Sequence, residues 1–123
     1  MIKIDGIGGL FFRARDPKKL AAWYEEVFGI PQVADDYETP AWQQQAGTTV
    51  FAPFAKNTDY FPKSQTWMLN LRIADMDAAL AELGARGIAI TYGPETFPNG
   101  RFAHIADPEG NPIELWEPGG TYA

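Results

Sequence analysis

The sequence contains no cysteine, and it has a single histidine, His104, and a single serine, Ser64. Without cysteine there is no disulfide framework, no thiolate nucleophile and no thiolate metal site. Ser64 lies in a polar stretch without an activating motif, so a Ser64–His104 nucleophile pair is disfavoured. Much catalytic chemistry is therefore excluded from the start.

Runs of lysine or arginine and long apolar runs are also absent. The net charge is −6, with 10 basic and 16 acidic residues, so no basic stripe is available to follow a phosphate backbone. No stretch approaches the ~18 apolar residues that a membrane span requires, and the first residues lack an apolar signal core. These patterns predict a cytoplasmic protein that binds neither nucleic acid nor membrane.

What the chain does contain is an internal repeat. The segment Leu10–Asp16 and the helical stretch after it, ending at Gly29, are echoed by Leu69–Asp75 and a second helical stretch ending at Gly87. A repeat of this kind constrains topology more strongly than local propensity does. We predict one domain, 1–123, made of module one (1–55), a linker (56–66) and module two (67–123).

Two amphipathic helices are predicted, one in each module. Asp16 and Pro17 form a typical helix start, and Gly29 is a typical left-handed cap. The second helix begins after Asp75 or Asp77 and ends at Gly87. The apolar residues of the first helix recur at the helical period, so we expect that face to pack in the core.

The remaining segments predict strands. In module one these are 4–15, which is apolar enough to be buried on both faces, and three short strands within 31–54. In module two they are 67–74, 88–92, 101–106 and 113–117, with a loop at 93–100 and a turn at 107–111. Each module is then strand, helix and three strands, which is an α+β fold.

This order, with the Arg-Asp-Pro helix start and the ending Asp-Pro-Glu-Gly-Asn-Pro-Ile-Glu-Leu at 107–115, resembles the vicinal oxygen chelate superfamily. That superfamily includes glyoxalase I, bleomycin-resistance proteins and extradiol dioxygenases. The resemblance covers essentially the whole chain. It implies two tandem βαβββ modules that form an open, curved, eight-stranded mixed sheet around a cavity, and it implies a homodimer.

The resemblance also implies where a metal would be held. The ligand positions on the first strand of each module correspond to Gly9 and Met68, and the stretch 41–54 offers no His, Asp or Glu. Of the positions that correspond to metal ligands, only Glu114, on the last strand, carries a side chain that could bind a metal. Because a catalytic metal needs about three protein ligands, we expect no metal and no cofactor.

If Gly9, Met68 and Glu114 face the cavity, the residues two positions away on the same strand face it too, because successive side chains of a strand point to opposite faces. His104 should point into the same space, and aromatic residues on several strands supply surface for stacking. The predicted ligand-binding residues are Phe11, Arg13, Trp42, Phe51, Met68, Asn70, Arg72, His104, Glu114 and Trp116.

Two alternatives stay open within this set. His104 is either an acid, base or hydrogen-bond anchor for a ligand, or a histidine satisfied by protein partners. Arg13, Arg72 and Glu114 either form an internal ion network, which is favoured because Glu114 is available as a partner, or leave an arginine free to bind a ligand carboxylate or phosphate.

The favoured function is metal-free binding of a small organic molecule, aromatic or polar, as in bleomycin-resistance-type proteins. One alternative is a lyase or isomerase of glyoxalase-like fold that uses Glu114 or His104 as acid or base, with or without a metal. Another is a structural or regulatory dimer whose cavity is packed shut. The fold alone cannot decide among these, because one scaffold hosts many activities.

Overall fold

The computed structural model describes all 123 residues and has two layers, with two helices packed on one face of a four-stranded sheet. Helix α1 spans Pro17–Phe28 and helix α2 spans Met76–Ala85. No helix is long and apolar enough to cross a membrane. The strands are β1 Leu69–Arg72, β2 Tyr92–Phe97, β3 Gly100–Ala106 and β4 Pro112–Pro118, and a short 3-10 helix follows at Gly120–Tyr122.

Both helices begin and end where their capping residues predict. The carboxylate of Asp16 accepts a hydrogen bond from the Lys19 amide at 3.2 Å, and Gly29 closes α1 in the left-handed conformation at φ 70°. Asp75, not Asp77, caps α2. These caps satisfy amides that the first turn of a helix leaves without partners.

The sheet order is β1-β4-β3-β2, with β1 and β4 parallel and the other pairs antiparallel. The first and last strands of the second half therefore lie side by side. The helix-facing surface of the sheet is aliphatic, and both helices contribute to the single core. Its buried members are Leu20, Tyr24, Met76, Leu83, Ala103, Ile105, Ile113 and Leu115.

The first half of the chain differs from the prediction. No strand lies before Leu69, so the sheet has four strands where the sequence predicted eight, and 4–15 and 31–54 form none. A strand requires a neighbour that pairs with its backbone, and these segments have none in the isolated chain. Their apolar side chains are consequently exposed, as with Ile4 at 74% and Phe11 at 95%.

One strand of the second half is also displaced from its predicted position. We predicted a strand at 88–92 followed by a loop, but β2 occupies Tyr92–Phe97, most of the predicted loop. A tight turn at Pro98 and Asn99 pairs Phe97 with Gly100 and so forms a hairpin with β3. Pro98 and Asn99 lie within the predicted loop, but the turn that they form joins two paired strands and is not part of a long loop.

The turn at 107–111 joins the two halves of the chain. Buried Asp107 accepts a hydrogen bond from the hydroxyl of Tyr24 in α1 at 2.7 Å, and Glu109 accepts from the amides of Arg15 and Asp16 at 2.6 and 3.0 Å. These amide bonds hold the pKa of Glu109 below its usual value. Burial and the bond to Asp107 raise the pKa of Tyr24. The acidic turn therefore fixes the start of α1 against the sheet.

Candidate functional site

A row of polar and aromatic residues crosses the site face, the face of the sheet opposite the helices. The strand register places Asn70 of β1 beside Glu114 of β4, Glu114 beside His104 of β3, and His104 beside Tyr92 of β2. The intervening residues, such as Leu115 and Ile113, point into the core. The helix-facing side of these strands is thus aliphatic, whereas the site face is polar and aromatic, as alternation along a strand requires.

Glu114 is the centre of this row. Its Oε2 atom lies 2.7 Å from Nε2 of His104 and also accepts a hydrogen bond from the hydroxyl of Tyr60, while Oε1 accepts from Nδ2 of Asn70 at 2.7 Å. Glu114 and His104 are 5% and 8% exposed, whereas Asn70 is exposed. Every buried polar side-chain atom has a partner. His104 is thus bonded to Glu114, a partner that the sequence around the histidine did not indicate.

Burial raises the pKa of Glu114, but hydrogen bonds from His104, Tyr60 and Asn70 outweigh burial and hold the pKa below its usual value. Burial, the hydrogen bond to Glu114 and the charge of that carboxylate all raise the pKa of Tyr60. Near neutral pH, Glu114 is therefore a carboxylate and Tyr60 a phenol donor. Glu114 is the one carboxylate of this group, and protein donors take both acceptor sites of Oε2 and one at Oε1.

Aromatic rings surround His104 and cover the row. The ring of Tyr60 lies edge-on to the imidazole with centroids 5.0 Å apart, and the ring of Tyr92 lies 4.7 Å away. Phe54 stacks on Tyr60 at 5.6 Å. From the sequence, Tyr60 was predicted to lie in a polar linker, and its contact with Glu114 was not predicted. The adjacent aromatic pair Tyr60-Phe61 inside that linker was the available signal.

A second row lies beside the first and is mostly aromatic. Arg72 pairs in register with Trp116, and Trp116 pairs with Phe102. The rings of Trp116 and Phe102 stack nearly parallel at 6.0 Å, and Nε1 of Trp116 donates to the carbonyl of Asn99 at 2.9 Å. Tyr122 packs edge-on to Trp116 at 5.9 Å, so Trp116 is only 2% exposed. Trp116 is therefore a wall of the site face and not a free stacking surface.

Arg72 lines a cavity of about 440 Å³ at the end of this second row. Its Nη2 atom donates to the backbone carbonyl of Gln45 at 2.9 Å. We call this cavity the Arg72 pocket. Its lining residues are Ala46, Gly47, Thr48, Arg72, Ile73, Ala74, Glu117, Pro118, Tyr122 and Ala123.

The ion network favoured from the sequence is wrong. Glu114 is bonded to His104, Tyr60 and Asn70, and neither Arg13 nor Arg72 has a carboxylate within 4.0 Å. The register explains the result, because the residue opposite Glu114 on β1 is Asn70, and Arg72 lies opposite Trp116. Arg13 lies elsewhere, in a separate cavity of about 330 Å³ next to Glu109.

The remaining predicted residues are not gathered at the site. Phe11, Phe51 and Trp42 are 95%, 86% and 46% exposed on segments that form no strand, and Met68 is half-buried just before β1. Of the ten residues predicted, the structure brings Asn70, His104 and Glu114 together and places Arg72 and Trp116 in the adjacent row. Phe11, Arg13, Trp42 and Phe51 belong to the first half of the chain, which forms no strand, and Met68 adjoins β1.

The residues of the site face do not fit a bound divalent metal. The chain has no group of three or more His, Cys, Asp or Glu side chains positioned to hold one. Next to Glu114 the one such side chain is His104, and its Nε2 is already directed at the carboxylate. Tetrahedral zinc or a catalytic divalent cation needs about three protein ligands.

Comparison with known proteins identifies the fold. Residues 9–116 match the family model described as glyoxalase-like domain. No curated protein matches the chain. A glyoxalase/bleomycin resistance protein from Streptomyces sp. CB03234 is 47% identical, but the match covers 40% of this chain and 42% of that one, with a TM-score of 0.37, so it supports no conclusion.

Two further solved structures match over most of their length. TnmS3, an antibiotic binding protein from Streptomyces sp. CB03234, is 30% identical over 97% of this chain and 100% of that one, with a TM-score of 0.65. A member of the glyoxalase/bleomycin resistance protein/dioxygenase superfamily from Sphaerobacter thermophilus is 25% identical over 85% of this chain and 90% of that one, with a TM-score of 0.54.

Proposed function

Because the chain belongs to the glyoxalase-like domain family, within the vicinal oxygen chelate superfamily, we propose that it is a metal-free protein that binds a small organic ligand on its site face. The ligand is aromatic or polar. The observation that carries the proposal is the state of Glu114, whose carboxylate is engaged by three protein donors. A carboxylate held in this way supplies neither a metal ligand set nor a free base, whereas sequestration requires neither.

The antibiotic-binding relative supports the same conclusion. TnmS3, which is described as an antibiotic binding protein, is similar to this chain over 97% of its length. The site face offers what a planar organic molecule needs, namely aromatic walls next to a few fixed polar groups. We extend the site to the predicted residues Phe11, Arg13, Trp42 and Phe51, which lie in the half of the chain without strands, and to Met68, which adjoins β1.

Tryptophan fluorescence tests this proposal. A panel of aromatic and glycopeptide compounds is titrated into the protein with and without a chelator, and we expect at least one compound to quench the fluorescence equally in both. Trp42→Phe should reduce the quenching, because Trp42 is 46% exposed and is placed in the proposed site. Trp23→Phe is the matched control, since Trp23 packs in α1 on the helix side. Silence across the panel, or stoichiometric zinc, nickel, manganese or iron in elemental analysis, would contradict the proposal.

A second candidate is a lyase or isomerase in which Glu114 and His104 act as acid and base. The observation that favours it is their 2.7 Å contact beside exposed Asn70, which places a titratable pair next to solvent. Conversion of a panel compound, followed by chromatography and mass spectrometry and lost in Glu114→Gln, would establish this function. A structural or regulatory dimer whose cavity is packed shut is disfavoured, because the volume of the Arg72 pocket exceeds the ~300 Å³ typical of the smallest ligand sites.

We also propose that two copies of the chain form a homodimer through the first module. The accessible surface is 9440 Å², about 2,900 Å² more than the roughly 6,600 Å² of a compact monomer of 13.6 kDa. The chain forms 45 backbone hydrogen bonds, where about 80 are typical for this length. In a dimer, the segments 4–15 and 31–54 would gain the strand partners they lack here and complete the eight-stranded sheet. The cytoplasmic location stays a prediction.

Light scattering tests the dimer. We expect twice the chain mass at micromolar concentration, and a shift toward the single-chain mass in Phe11→Lys, because Phe11 is 95% exposed in the unpaired segment. Glu82→Lys, on the exposed side of α2, is the control and should keep the dimer mass. A single-chain mass for the unmodified protein would overturn this part of the proposal.

A further inference from the structure

We propose that the Arg72 pocket binds an oxyanion group, a carboxylate or a phosphate, carried by the organic ligand. The inference rests on the proposed binding function and adds the chemical class of the ligand and the residue that recognises it. It follows from three observations: Arg72 has no acidic partner, its guanidinium is held in place by neighbouring backbone, and it lines a cavity of ligand size.

The charge of Arg72 is not neutralised within the protein. Arg15, Arg86 and Arg101 each lie within 4.0 Å of a carboxylate, but Arg72 does not, although it is half-buried. Its one hydrogen bond goes to the Gln45 carbonyl, which leaves other guanidinium N–H groups free. A partly desolvated guanidinium with free donors favours a bidentate oxyanion, because charge-assisted pairs of this geometry are the strongest hydrogen bonds that arginine makes.

The guanidinium is positioned before any ligand arrives. A methyl group added at Gly47 would lie 1.8 Å from Nη1 of Arg72, so the guanidinium rests directly over the glycine backbone. The Gln45 carbonyl holds the other terminal nitrogen, and the register on β1 fixes the start of the side chain opposite Trp116. A cation held in this way loses little conformational freedom when it binds.

The rest of the pocket suits a small organic anion. Tyr122 supplies a half-exposed ring and Ile73 an apolar wall in a volume of about 440 Å³, and the Thr48 hydroxyl donates to the Tyr122 carbonyl at 3.4 Å. The acidic side chain that lines the pocket, Glu117, accepts from the Met76 amide at 3.2 Å and lies 3.7 Å from Arg101, so its charge is already compensated. The net charge of −6 opposes anion binding at long range, but physiological salt screens charges beyond ~8 Å.

The test compares matched anionic and neutral probes. Benzoate, phenyl phosphate, inorganic phosphate and benzyl alcohol are titrated into the full chain, with affinity measured by calorimetry and the Arg72 Nε–Hε resonance followed by NMR. We expect benzoate or phenyl phosphate to bind at least tenfold more tightly than benzyl alcohol and to shift that resonance. Preference for benzoate assigns a carboxylate, and preference for phenyl phosphate and inorganic phosphate assigns a phosphate.

Three variants assign the effect to the pocket. Arg72→Gln should remove the preference for the anionic probe, and Gly47→Ala should weaken it severalfold by displacing the guanidinium while retaining its charge. Gly47 does not have a positive φ, so alanine is compatible with its backbone. Arg86→Gln, which removes a surface arginine paired with Glu26 at 3.5 Å, is the matched charge control and should keep the full preference.

The outcomes separate this inference from the function on which it rests. Equal affinity for anionic and neutral probes, or a preference that survives both Arg72→Gln and Gly47→Ala, overturns the oxyanion site. If panel compounds still quench tryptophan fluorescence in that case, the binding function stands without it. If neither the probes nor the panel compounds bind, both are overturned.

Discussion

Replacing Glu114 with glutamine tests whether the row on the site face is held by a buried charge. The carboxylate accepts three hydrogen bonds, two at Oε2 and one at Oε1. Glutamine keeps one oxygen, which can still accept from Tyr60 and His104, and its new amide group faces the exposed Asn70, whose own amide is free to turn. The variant therefore loses the charge of the acceptor and not its shape.

The expected cost follows from the two retained bonds. Hydrogen bonds to a charged group contribute about 1.5–3 kcal/mol each, and neutral ones about 0.5–1.5 kcal/mol. Losing the charge at two bonds should lower the free energy of unfolding by roughly 2 kcal/mol at pH 7. For a chain of this size that corresponds to a fall in Tm of about 6–10 °C.

The pH dependence is the more specific signature. Because the pKa of Glu114 is lowered in the folded state, its contribution is complete above the unfolded value of about 4.3 and is lost as the pH falls through the lower folded value. The difference in unfolding free energy between the unmodified protein and Glu114→Gln should therefore be full at pH 7 and shrink below about pH 4. Urea denaturation followed by circular dichroism at pH 7 and at pH 3 measures this difference.

Glu95→Gln is the matched control, because Glu95 lies exposed on β2 of the same sheet and makes no side-chain hydrogen bond in the structure. We expect it to change the unfolding free energy by less than about 0.5 kcal/mol at either pH. If Glu114→Gln behaves like this control at pH 7, or if its deficit persists unchanged at pH 3, the account of the site face as a row held by a buried carboxylate is refuted.

Three other substitutions, one of them with a comparison variant, test the fold. Tyr24→Phe removes the bond to Asp107 and should cost about 1.5–3 kcal/mol of unfolding free energy in urea denaturation; no change would show that this bond does not hold α1 to the turn. Gly100→Ala places a methyl group 2.2 Å from the Glu117 carbonyl oxygen, at a residue whose φ is 136°. We therefore expect calorimetry to show a fall in Tm of at least about 6 °C. An unchanged Tm would contradict the hairpin geometry. Met76→Ala empties a fully buried position and should cost about 2–5 kcal/mol, whereas Ala78→Gly on the exposed side of α2 should cost about 1 kcal/mol.

The parts of the fold that the sequence predicted correctly depend on local signals. Asp16, Pro17 and Gly29 delimit α1 because capping acts on amides within a single turn. The strands β3 and β4 follow from alternation on either side of the turn at 107–111. Glu114 and His104 were placed on one face by the same alternation, and the structure brings them into contact.

The parts that were missed depend on pairing between distant segments. The ion network failed because alternation assigns a face but not a register, and a shift of two residues on β1 decides whether Asn70 or Arg72 meets Glu114. Tyr60 was missed because its partner is 54 residues away. The strands of the first module were predicted from composition, which indicates that a segment can pair but not what it pairs with.

Both helices pack on one sheet, although each comes from a different half of the chain. In the structure the second half of the chain provides the sheet, and the first half contributes α1, which packs on it. A fragment beginning at Trp67 would lack α1, expose the aliphatic surface of the sheet that α1 covers, and be expected to aggregate. Any shuffling or truncation of this gene has to carry the leading helix along with the trailing sheet.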